Sequence, residues 1–194
     1  WKTLLFFAVI GLLGGFFTGI YMLDSYPAEM QQQLLEQGIT KTMLGLVTAA
    51  QSAGYGIALG ALGILLGKKT GLWKDERTIT KKPLMASLVI AVIGGLALIM
   101  TDLLFFGHYS QAIMNSYAVK PTIPFMLASV TYGAVIEEVM LRLFAMSLIA
   151  FILHKMKRKK NDKPVTAILM ASNVIAAILF AAGHLPATFI LLGS

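Results

Sequence analysis

Apolar residues gather into five long runs, at about 3–23, 42–67, 84–107, 123–153 and 165–184, and shorter stretches holding most of the charge separate them. Each run is long enough to cross a hydrocarbon core of roughly 30 Å as a helix. The pattern therefore predicts an all-α, polytopic transmembrane bundle of at least five spanning helices, forming a single membrane domain over residues 1–194. Pro27, Pro83, Pro121, Pro124, Pro164 and Pro186 all fall between the runs or at their ends, where a missing backbone N–H does least damage. Glycines recur inside the runs, in "GLLGG", "GYGIALGALG" and "VIGG", as suits helices packed closely in lipid. Between the first two runs, Met30, Leu34, Leu35 and Ile39 would share one face of a short interfacial helix, or the segment is an ordinary connecting loop.

Composition agrees with the pattern: 57% of the chain is hydrophobic and 13% charged, with a mean hydropathy of +0.78. That places it among integral membrane proteins. Cysteine is absent, which removes disulfides, thiolate metal sites and a cysteine nucleophile from consideration. The net charge of +7 does not point to nucleic acid, because the basic residues sit in short clusters between apolar runs. Anionic lipid headgroups are their expected partners.

Those clusters also orient the chain, since Lys and Arg collect on the cytoplasmic side. The loops "KKTGLWKDERTITKK" and "HKMKRKKNDK" are dense in basic residues, whereas 24–41 and 108–122 each hold one lysine. Rich and poor loops alternate, so the N-terminus and the two basic loops are expected in the cytoplasm. Small size and short charged loops make a bacterial plasma membrane the expected location. The chain begins at Trp1 rather than Met, and "ATFILLGS" resembles the opening of another apolar run; further residues, including C-terminal spans, are expected beyond those given.

Within the runs the charged residues are Asp102, Glu137, Glu138 and Arg142. Asp102 lies near the outer end of its run and can reach the interface. The other three lie deeper, in "AVIEEVMLRLFAM", where each charge costs roughly 2.5–3.5 kcal/mol on an insertion scale. Such residues suggest function by default. Glu138 and Arg142 are four apart and can pair on one helix face, while Glu137 points about 100° away from Glu138 on an ideal α-helix. Bracing of neighbouring helices would account for the pair but leaves the second carboxylate unexplained. Glu138 and His184 are nearly equidistant from the middle of the 155–164 loop, so straight antiparallel helices bring them to similar depth. Phe180 lies one turn from His184, and Asn173 is about three turns away on the same face.

These residues form two motifs. Glu137, Glu138 and Arg142 spell E-E-x-x-x-R, and Phe180 with His184 spells F-x-x-x-H on the next run. In order and separation, over residues 130–186, the pair resembles the CAAX protease and bacteriocin-processing family, also called CPBP or Abi. The resemblance implies an intramembrane glutamate-type endopeptidase related to type II CAAX prenyl proteases. By that likeness Glu137 is the catalytic base that activates water and His184 holds or polarises that water, while Glu138, Arg142 and Phe180 order the site; Asn173 is a further source of polar support. The chemistry is compatible, because peptide hydrolysis needs an activated water, an oxyanion donor and a proton for the leaving amine. No H-E-x-x-H is present, and one histidine with two carboxylates makes a poor zinc set, so neither a metal nor another cofactor is expected.

Family members usually carry a third motif, H-x-x-x-N or H-x-x-x-D, on a later span. It is not found here: His108 has no such partner four residues on, and His154 sits in a basic loop. The expected partners are the lipid bilayer and a peptide or protein substrate, which is membrane-associated, prenylated or secreted. A proton-coupled transporter or channel would also bury carboxylates and a histidine, and a non-catalytic scaffold would keep the same fold.

Overall fold

The computed structural model describes residues 1–74, 80–156 and 164–192, with side chains to residue 190. Parts of both basic loops, 75–79 and 157–163, lie outside the described residues. Every regular element among those described is helical: α1 (Lys2–Ser25), α2 (Ala28–Glu36), α3 (Lys41–Thr70), α4 (Lys81–Tyr109), α5 (Gln111–Ala118), α6 (123–156) and α7 (Thr166–Leu192). Four of them, α1, α3, α4 and the Thr166–Ile190 part of α7, are long and apolar enough to cross a membrane.

The expected span at 123–153 is built differently. It forms one helical run, but only Ile123–Ala128 and Ser147–Met156 are α-helical; Ser129–Glu137 and Val139–Met146 have wide π-type turns. Here the backbone bonds reach one residue further than in an α-helix. The run starts where Thr122 caps it, its hydroxyl accepting from the Phe125 N–H at 3.3 Å, with Pro124 in the first turn. Proline fits there because that N–H has no helical acceptor.

α7 departs from expectation at its far end. The apolar pattern places a boundary near residue 184 with Pro186 beyond it, whereas the helix continues through Pro186 to Leu192. Pro186 has no N–H for the carbonyl four residues back, a loss that apolar spans tolerate. "ATFILL" therefore extends the same helix.

The chain divides into two units, residues 1–74 with 122–194 and residues 75–121. In the first unit α1 lies along α3, and α6 packs against both, its first half on α1 and its second half on α3; α7 joins the second half of α6. The α1–α3 seam is made by absence of side chains. A Cβ on Gly11 would lie 2.7 Å from the Ser52 carbonyl oxygen, and one on Gly19 would lie 2.5 Å from that of Leu44. On α3, a Cβ on Gly56 would meet the Phe7 carbonyl oxygen at 2.8 Å, and Gly63 is equally tight against Leu143 of α6. Small residues buried in the unit, Ala49, Ser52 and Ala53, complete this contact. Close backbone approach of this kind holds helices together where lipid supplies no hydrophobic drive.

The α1–α3 connection is helical rather than irregular. α2 begins after Pro27 and ends at Gly38, whose φ of 78° only glycine adopts without strain. The N–H groups of Gly38 and Ile39 donate to the carbonyls of Leu35 and Leu34, both at 2.9 Å. Of its apolar face, Met30, Leu34 and Ile39 are partly covered and Leu35 is exposed. Lys41 pairs with Asp24 across the connection.

In the second unit, α4 exposes its apolar side chains along its length. Asp102 begins a wide turn, Asp102–Phe106. Its carboxylate accepts from the Tyr117 hydroxyl at 2.8 Å, so this charge within an apolar run has a partner on α5.

Candidate active site

The carboxylates stand at the junction of the two wide segments. Glu137 ends the first, Glu138 is the single residue between them, and Val139 begins the second. Two buried neighbours, Ile136 and Val139, fix this stretch in the packed interior, which turns the polar residues between them toward the open side. Gly133 sits one turn below Glu137, whose Oε2 would be 3.8 Å from a Cβ at that position.

Glu138 and Arg142 pair at 2.6 Å between Oε2 and Nε. Both are substantially exposed, 48% and 59%, so the pair is worth little as a stability element. Its effect is to neutralise one of two adjacent carboxylates. Glu137 then remains as the carboxylate without a cationic partner of fixed charge.

His184 approaches Glu137 from α7. Its Nε2 lies 3.9 Å from Glu137 Oε1, too far for a hydrogen bond and close enough for one water to bridge. Glu137 is 28% exposed and His184 54%. The imidazole is held at its other edge, where Nδ1 lies 2.9 Å from the Phe180 carbonyl oxygen. With the proton on Nδ1, that nitrogen donates to Phe180 and Nε2 presents its lone pair toward Glu137. The Phe180 ring also packs beside the imidazole, with centroids 4.3 Å apart and planes tilted by 55°. Backbone and ring together set the orientation that a free histidine would lack.

The structure thus brings together Glu137, Glu138, Arg142, Phe180 and His184. Asn173 is exposed further along α7, and it is not among the residues gathered at the carboxylates. Among the described residues, no group of three His, Cys, Asp or Glu side chains is arranged to hold a metal ion.

Tyr132 is a neighbour the sequence reading missed. It is partly buried on α6 and lies within electrostatic reach of Glu137 and of Tyr55. The Tyr55 hydroxyl in turn accepts from Gln51 Nε2 at 2.7 Å. Tyr132 and Glu137 are five residues apart, a spacing that puts two side chains on different faces of an α-helix. Wide turns bring them nearer to one face, and no signal in the sequence announced those turns. Comparison of the chain with protein-family models, with curated proteins and with solved structures finds no match.

Proposed function

We propose that this protein is a glutamate-type intramembrane endopeptidase that works without a metal, as its resemblance to the CAAX protease and bacteriocin-processing family implies. The observation that carries this reading is the 3.9 Å separation of Glu137 Oε1 and His184 Nε2, with Nδ1 tied back to Phe180. Two acceptors at that distance hold one water by both of its hydrogens. Attack of that water on a scissile carbonyl passes a proton to Glu137, and the protonated carboxyl then gives it to the departing amine. His184 orients the water, and Arg142 holds the second carboxylate in an ion pair.

In this reading the 123–156 run is a fifth crossing, with the N-terminus in the cytoplasm of a bacterial plasma membrane. Its continuous helical hydrogen bonding supports that placement, since a span must satisfy its own backbone. The substrate is a membrane-associated, prenylated or secreted peptide.

The test is cleavage of candidate peptides by purified protein, beside Glu137→Gln and His184→Ala variants of unchanged helicity. Cleavage is expected to fall strongly in both. Equal cleavage by all three proteins would end the protease reading. Proton or solute flux into vesicles, lost in Glu137→Gln and unaccompanied by proteolysis, would favour a transporter.

A further inference from the structure

The C-terminal ends of α3 and α6 meet, and two lysines converge there on one aromatic ring. Lys69 Nζ lies 5.5 Å from the centroid of the Phe151 ring and Lys155 Nζ lies 5.0 Å from the same centroid. Both side chains are otherwise exposed. Among the described residues, neither forms an ion pair with a carboxylate. The ring attracts each ammonium, which keeps two like charges near one ring, where they repel. An anion between them reverses the sign of that interaction.

The surroundings say which anion fits. After α3, Gly71 takes a φ of 78° and turns the chain back, so that the Trp73 N–H donates to the Gly67 carbonyl at 3.0 Å. Trp73 then lies against the helix where a Cβ on Gly67 would come within 2.9 Å of it. An indole and basic side chains at the ends of apolar helices mark the headgroup level of a bilayer. Immediately along the same helices, Leu62, Leu65 and Ile152 are exposed, an apolar flank suited to acyl chains.

We infer that Lys69 and Lys155, gathered on Phe151, form a discrete headgroup site for one anionic phospholipid, its phosphate between the two ammonium groups and its acyl chains along α3 and α6. General attraction of basic loops to anionic lipid requires no particular pair of lysines. This site requires that pair and the ring they share, and it stands independently of the protease reading.

Native mass spectrometry of the full chain in detergent, titrated with phosphatidylglycerol or with phosphatidylcholine, tests the site. Phosphatidylglycerol is expected to be retained preferentially. The double variant Lys69→Gln/Lys155→Gln lowers its affinity roughly tenfold, whereas Lys81→Gln/Lys82→Gln, which removes the same charge, changes it by less than about twofold. Phe151→Leu keeps both lysines and weakens retention several-fold. Equal losses in the two double variants would show diffuse attraction and overturn the site. Displacement of the lipid by inorganic phosphate at matched concentration would assign the lysines to a free anion and overturn it as well.

Discussion

The α1–α3 seam and the α6–α7 carboxylate site belong to the same unit but are built in opposite ways. The seam removes side chains until backbones touch, and a single added carbon has nowhere to go at Gly11 or Gly19. The site keeps large polar side chains partly exposed, and its key distance of 3.9 Å is one that a single water can bridge. One region tolerates no addition, and the other keeps its polar side chains within reach of a water. The difference teaches where packing and candidate chemistry separate in this protein: the seam supports α6, and α6 presents the carboxylates from its open side.

Substitutions can break that separation or sharpen it. The largest effect is expected for Glu137→Gln, which keeps the side-chain volume and should lower peptide cleavage by roughly 10²–10⁴-fold, the range for loss of a general base. Thermal unfolding in detergent should be almost unchanged, and a large drop in that midpoint would mean that the site is a structural brace. Next is Gly19→Val, which should destabilise the protein by about 3 kcal/mol through overpacking against Leu44. Gly54→Ala is its control, because nothing lies within 4 Å of the added carbon. Gly54→Ala should be neutral or stabilising by up to about 1 kcal/mol, and an equal loss in both would deny that the seam depends on close approach.

A smaller effect is expected for Arg142→Gln. Its ion pair is exposed, so stability should change by less than about 1 kcal/mol, while cleavage falls by about tenfold because a second carboxylate without its partner then stands beside Glu137. Comparison of the two quantities for one variant tells ordering from bracing. The smallest effect belongs to Tyr117. Its hydrogen bond to Asp102, the main cause, together with slight desolvation and the Asp102 charge, pushes the phenol above the usual tyrosine value of 10.0. A raised pKa means that the neutral, hydrogen-bonded form is favoured by folding. That contribution is complete below pH 10 and is lost as pH rises through the higher folded value. Tyr117→Phe should remove a late-titrating phenol from the absorbance curve, and loss of a phenol that titrates at the ordinary value instead would deny the bond.

Much of the fold was legible because lipid imposes simple rules on sequence. Four of the five apolar runs correspond to long apolar helices, since a run without charge has few other ways to satisfy its backbone in a membrane. The glycine pattern likewise announced close packing, although it did not say which glycines touch: Gly11, Gly15 and Gly19 do, while Gly94 and Gly95 have nothing within 4 Å. The fifth run was read as an ordinary α-helix, and there the reading was too simple. Wide turns stand at Ser129–Glu137 and Val139–Met146, and helical spacing alone carries no signature of them. Pro186 misled for a related reason, because a proline that ends a helix in water can sit inside one in an apolar setting.

The candidate site divides in the same way. By itself the sequence singled out Glu137, Glu138 and Arg142 as candidates, because charges are costly in apolar runs and stand out against them, and helical spacing set His184 at a matching depth. It also determined the Glu138–Arg142 pair, a contact within one helix. Only the tertiary structure decided that Nδ1 of His184 faces Phe180 while Nε2 faces Glu137, that Tyr132 joins the group, and that Lys69 and Lys155 share one ring. Hydrophobicity and helical spacing are properties of a chain read in order, and the sequence carries them directly. Orientation across helices depends on how far apart two backbones settle, and that is set by the glycines and side chains of every helix at once.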